Sequence, residues 1–242
     1  MKMAETNLPE FKGKYSFPGG EFGKDVLKEY QGRVSEDYSN AKALQVLSYK
    51  DGIVKGSNPF AVTLVNQIVQ GAGLRTATPA DLERILKLDV LPLRGTYEDS
   101  ALVLRSGEEP NSHLAGNIYV QIKARNPKQE MPVMIPLAGL ELVQDSSSNY
   151  GLAFNFKDNA EIFYAPILNQ DGKFSSEDID EKTGLPTEIG RGNRVLYPMR
   201  SGLSRLYLYG GLGLYSGGDD LADSSDLGRV VVVGASAEGA KK

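Results

Sequence analysis

Cysteine and tryptophan are absent from this sequence, and histidine occurs once, as His113. Without a thiol there is no disulfide, no thiolate nucleophile and no zinc finger. One imidazole is too few for most catalytic metal centres, where two or more converge on one ion. Long hydrophobic runs are also lacking. The longest, Met131 to Leu140, is broken by Pro132, Pro136 and Gly139, and a membrane helix needs roughly 18 apolar residues. No apolar stretch follows Met1, so neither a cleaved signal peptide nor membrane association is expected. Basic excess is missing too: 27 Lys+Arg stand against 31 Asp+Glu in 242 residues, a formal net charge of −4. That balance speaks against general nucleic-acid binding, and the composition fits a cytoplasmic setting.

The standard phosphate and nucleophile motifs are missing as well. No Gly-x-x-x-x-Gly-Lys-Ser/Thr loop occurs. Gly211-Leu212-Gly213 comes nearest to a dinucleotide fingerprint but lacks its third small residue and a following helix. Ser236 lies between Gly234 and Gly239, one residue too long for a nucleophile elbow and with no room for a helix behind it. No cofactor and no metal is therefore expected. Asp219, Asp220, Asp223 and Asp226 supply oxygen ligands in a Gly-rich stretch without a recognised ligand order, and read as an acidic surface loop. His113 reads as a locally bonded histidine in a polar loop between strands.

What is present is an ordinary globular composition, 40% hydrophobic and 24% charged, with 27 glycines. Asn58-Pro59 reads as N-cap and first helical residue, opening a helix with an Ala61, Leu64, Val65, Ile68 stripe. Thr78, Pro79 and Asp81 form a capping-box signature for a second helix that buries Leu82, Ile85 and Leu86. Asp51-Gly52 marks a hairpin turn, because both residues suit the positive φ of a type I′ turn. From Leu93 onward the period of the pattern shortens to that of strands, over 100–105, 117–124, 151–156, 161–168, 194–197, 204–209, 212–215 and 229–233. Gly210-Gly211 reads as a two-residue hairpin turn placing Tyr209 opposite Leu212.

The fold class expected is α+β: two N-terminal-half helices packed on a mainly antiparallel sheet, with a β-rich, Gly-rich C-terminal half. One domain over 1–242 is expected, with a loose arm at 1–23, whose aromatics dock on the body, and a tail at 235–242. The alternative division is 24–145 and 150–234, with Ser146-Ser147-Ser148 as linker.

Charge is blocked in the C-terminal third. Asp171 to Glu188 carries a net −4, Ile189 to Gly218 carries +4 without a single acid, and four aspartates follow. The basic block is Arg191, Arg194, Arg200 and Arg205, interleaved with tyrosines that include Tyr197 and Tyr207. Arginine forks grip carboxylate or phosphate, and tyrosine faces accept guanidinium or flat rings. These six residues are the candidate ligand site, for an anionic small molecule. The competing account pairs the arginines with the flanking acids, within the chain or across a homo-oligomer. The expected function is a non-catalytic interaction or small-ligand-binding protein that self-associates through its C-terminal half. The alternative is an enzyme acting on a phosphorylated or carboxylated small molecule, with the arginines as anion holders and carboxylates as acid and base.

Overall fold

In a computed structural model, residues 8–210 and 212–234 are described. In chain order the elements are strand β1 (Tyr15–Ser16), helix α1 (Gly20–Glu36), strands β2 (Ser48–Lys50) and β3 (Ile53–Lys55), helix α2 (Pro59–Val69), strand β4 (Arg75–Thr76) and helix α3 (Pro79–Leu88). Then come β5 (Glu98–Leu104), α4 (Ser112–Arg125), β6 (Val133–Pro136), β7 (Leu140–Gln144), β8 (Leu152–Phe156) and β9 (Phe163–Tyr164). The C-terminal part carries β10 (Gly172–Phe174), β11 (Arg194–Pro198), β12 (Leu203–Tyr209), β13 (Gly213–Ser216) and β14 (Val232–Val233).

The expected α+β class is what the structure shows. Its centre is a seven-stranded sheet in the order β10-β11-β13-β12-β5-β6-β9, antiparallel except for the β11–β13 pair. Strands β5 and β6 are buried on both faces, so their alternate residues feed two separate cores. Leu102, Leu104, Val133 and Ile135 pack with α2 and α4 on one side; Ala101, Val103 and Met134 pack with Leu82 and Ile85 of α3 on the other. The two helices read most directly from the sequence thus lie on opposite faces of the sheet.

Their starts follow from capping chemistry. Asn58 accepts a hydrogen bond from the Ala61 amide at 2.8 Å, with Pro59 in the first turn. Thr78 and Asp81 form both halves of a capping box. Burial works against the Asp81 carboxylate, but its bonds to Arg75 and Thr78 hold its pKa below the ordinary value. At the Asp51-Gly52 turn both residues have positive φ, 52° and 83°, as expected of type I′.

Three expectations are corrected. Residues 117–124 belong to α4, not to a strand, and His113 sits in that helix rather than in a loop. Ile118, Val120 and Ile122 mimic a two-residue period, yet Val120 is 67% exposed while Leu114, Ala115, Ile118 and Ile122 form the buried helical face. The described part of the arm is not loose: Tyr15 and Ser16 pair with Val233 and Val232, and α1 begins at Gly20 with Phe22, Val26, Tyr30 and Val34 buried at four-residue spacing. The third correction is register. Tyr209 lies opposite Gly213, Leu208 opposite Leu214 and Tyr207 opposite Tyr215, one residue away from the expected pairing. A one-residue slip exchanges the two faces of a strand. The true register therefore sorts leucine and tyrosine onto opposite sides instead of mixing them. Gly211 of that turn, and the tail 235–242, lie outside the described residues.

Candidate functional site

The arginines of the basic block do not act together. Arg205 is sealed: its Nε and Nη2 donate to Asp99 Oδ1 and Oδ2 at 2.7 Å each, its Nη1 donates to the Asp223 carbonyl, and the Tyr207 and Tyr97 rings flank it. Ser57 Oγ adds a further bond to Asp99. Opposite β12, one residue of pairing corresponds to two on β5 between Leu206↔Ala101 and Tyr207↔Asp99, so Ser100 is a bulge residue. The bulge brings the Asp99 carboxylate to the guanidinium. Burial opposes the charge on Arg205, but Asp99 outweighs it and raises the arginine pKa.

Arg194 forms a second bidentate pair, with Glu83 of α3, at 2.6 Å through each Nη, while its Nε donates to the Leu212 carbonyl. Its guanidinium rests on the Phe174 ring. Arg191 is exposed, 3.4 Å from Glu188 and 3.9 Å from Asp178. Arg200 is exposed and has no partner among the described residues. Only Arg191, then, meets carboxylates of the acidic blocks that flank it, Arg205 touching only the Asp223 carbonyl; the two buried arginines reach back to carboxylates more than 100 residues earlier in the chain.

Tyr197, Tyr215 and Tyr207 form a cross-strand row on β11, β13 and β12, with centroids 5.5 and 5.2 Å apart, and Tyr209 stands 6.3 Å from Tyr207. Tyr197 and Tyr209 are exposed. Arg205 beneath this aromatic face is neutralised by Asp99, while exposed Lys173, opposite Val195 on β10, stands on the same face with no partner among the described residues.

On the other side of the sheet lies a cleft of about 820 Å³ between α3, the segment that follows it and residues 176–181. Leu86, Leu91, Leu93, Ile179 and Leu212 give it an apolar lining, and the Arg194–Glu83 pair stands in its wall. Gly184 sets its shape. With φ at +71° and Cβ space 2.4 Å from the Pro79 carbonyl carbon, it lets the 176–188 loop close on the start of α3. Arg84 bonds across to the Glu181 carbonyl at 2.9 Å. Arg94 lines the cleft with no partner among the described residues, as do the carboxylates of Asp89 and Glu177. Of the six candidate residues, only Arg194 reaches this cleft.

Two further buried charges escaped the sequence reading. Glu98, 1% exposed, has Oε2 without a partner; burial pushes its pKa up to about 8, against the pull of Thr96 and Arg229. Arg105, one residue beyond β5, bonds only to neutral acceptors: Asn169 Oδ1, Ser204 Oγ, Ser216 Oγ and the Leu168 carbonyl. Burial alone lowers its pKa to about 10. The signal was legible: ionisable residues on either side of the buried apolar run Ala101 to Leu104 must be paired, bonded or neutral. His113 Nε2 lies 2.7 Å from Asp145 Oδ2, beside a second cleft of about 340 Å³ at the start of α4.

The chain matches no known family model, no curated protein and no solved structure at a significant level. Among the described residues no helix is long and apolar enough to cross a membrane.

Proposed function

We propose that this is a non-catalytic small-ligand-binding protein, and that the cleft behind α3 is its site. The observation that carries the reading is an ordered concavity of about 820 Å³ lined by leucine and isoleucine, with a buried ion pair in its wall. Pockets that bury small molecules fall in this size range, mostly apolar with a few polar groups that fix orientation. Arg94 at its edge supports a ligand with an apolar body and one anionic group, while Asp89 and Glu177 oppose a more highly charged one. The acidic, cysteine-free composition supports a cytoplasmic setting. A thermal-shift screen of aliphatic and aromatic carboxylic acids tests this. A true ligand at about 100 times its Kd stabilises by about 2.7 kcal/mol. The gain should shrink in Arg94→Ala, and a flat screen would count against the reading.

We assign self-association to the tyrosine face as part of the same proposal, on the exposure of Tyr197 and Tyr209. A contact made by these rings, rather than by charge, should persist from low to high salt. A monomer under both conditions would remove this part. The enzyme alternative, in the form that uses the arginine block, loses Arg194 and Arg205 to carboxylates. One observation still favours it, the His113–Asp145 pair beside the smaller cleft. Turnover of any phosphorylated or carboxylated compound that disappears in His113→Asn would revive it.

A further inference from the structure

Glu98 opens β5 opposite Leu208 and is the residue with an orphaned buried side-chain oxygen among the described residues. Its other oxygen, Oε1, lies 2.6 Å from Thr96 Oγ1, and the same Thr96 hydroxyl lies 2.9 Å from the Leu93 carbonyl. A hydroxyl has one proton to give. If it goes to the Leu93 carbonyl, which can only accept, the short contact to Glu98 needs a proton from the carboxyl. An ionised Glu98 could not supply it, and would bury a charge with one oxygen unbonded. The charges that act on Glu98 are Asp99 beside it, which favours the neutral acid, and Arg229 before β14, which favours the anion. The Arg229 Nη1 is turned to the Asp226 and Gly228 carbonyls.

We infer that Glu98 is a protonation switch for the wall of the ligand cleft. As the neutral acid it donates to Thr96 and leaves the Thr96 proton on the Leu93 carbonyl. When it loses its proton to solvent, the carboxylate takes the Thr96 proton for itself, and the Leu93 carbonyl keeps only the long bond from the Thr96 amide at 3.4 Å. Leu93 lines the cleft, and Gly95 of the same segment donates to the Gly210 carbonyl at 3.1 Å, next to the turn that carries Leu212. Ionisation therefore loosens two apolar walls of the cleft and weakens ligand binding. The effect on affinity rests on the proposed reading of the cleft; the coupling of Glu98 to Leu93 does not.

The test follows the Leu93 methyl resonances and the Glu98 carboxyl carbon by NMR from acid to alkaline pH, in the whole chain, with 8-anilinonaphthalene-1-sulfonate as the cleft probe. The expected result is one midpoint near 8 for both signals, no Leu93 step in Glu98→Gln, and probe affinity falling above the midpoint. In Thr96→Val the Glu98 carboxyl should still titrate while Leu93 no longer follows. If the probe binds nowhere but Leu93 still steps with Glu98, the switch stands and the ligand reading falls. A Glu98 carboxyl that titrates near 4.5, or a Leu93 step unchanged in Glu98→Gln, overturns the switch.

Discussion

The two buried arginine–carboxylate pairs are both bidentate, Arg205 through Nε and Nη2 and Arg194 through its two Nη atoms, yet their surroundings differ. Arg205 and Asp99 are closed off, with side-chain exposures of 4% and 0%; Arg194 and Glu83 stand at 4% and 10%, beside a cleft. The first pair is wrapped by Ser57, the Asp223 carbonyl and two tyrosine rings, so its remaining bonding capacity is met inside the protein. The second leans on one ring and one carbonyl and faces open volume. Closure on all sides indicates a structural role, whereas a pair in the wall of a cavity can also shape what enters it. Arginine and tyrosine in one stretch of sequence were therefore poor guides to a shared site. The residues alternate across a sheet, and alternation sends them to different places.

Removing one partner from each pair should separate the sealed arginine from the one beside the cleft. Asp99→Ala leaves a sealed guanidinium without a counter-charge and should cost about 3–5 kcal/mol in denaturant unfolding. A loss below about 1 kcal/mol would show that the pair is not sealed. The orphan acid at the start of β5 comes next. With its folded pKa near 8 and its ordinary value at 4.5, Glu98 holds a proton in the folded chain that the unfolded chain releases in between. Stability from this group is full below about 4.5 and falls as pH rises to about 8. Glu98→Gln should lack that fall and be more stable by up to about 5 kcal/mol at the upper end. Equal pH slopes in the two proteins would contradict it. Glu83→Ala is expected to cost less than Asp99→Ala, about 1–2 kcal/mol, because water reaches Arg194 from the cleft. Added acetate should recover part of that loss, and no recovery would place Arg194 out of reach. The smallest effect is expected on the tyrosine face, where Tyr209 is 56% exposed. Tyr209→Ala should change stability by no more than about 0.5 kcal/mol while lowering self-association in sedimentation.

Local chemistry was legible in the sequence; long-range pairing was not. Asn58-Pro59, the Thr78/Asp81 box and Asp51-Gly52 each act through atoms a few residues apart, and each folded as read. Of helix α1 the sequence indicates only a short helical turn, Lys24 to Tyr30, because Gly20, Gly23 and Gly32 suggest breaks; the four-residue spacing of Phe22, Val26, Tyr30 and Val34 carries the helix through them. In α4 one exposed valine supplied a false strand period. The tyrosine row depended on a register that the turn residues did not fix, and the partners Glu83 and Asp99 lie more than 100 residues from their arginines. No local rule reaches that far. Domain organisation follows the same logic: β5 and β6 precede Ser146-Ser147-Ser148, and β9 to β13 follow it, in one sheet. A single unfolding transition by fluorescence and circular dichroism is expected, while two separate transitions would favour the division at 24–145 and 150–234.

The proposed ligand site lies behind α3 and not on the tyrosine face. Methyl-resolved NMR of the native chain at neutral pH, titrated with 8-anilinonaphthalene-1-sulfonate, tests it most directly. Saturable shifts are expected at Leu86, Leu93, Ile179 and Leu212, apolar residues of the cleft lining. Shifts confined to the rings of Tyr197, Tyr207, Tyr209 and Tyr215, with those methyls unmoved, would contradict this placement.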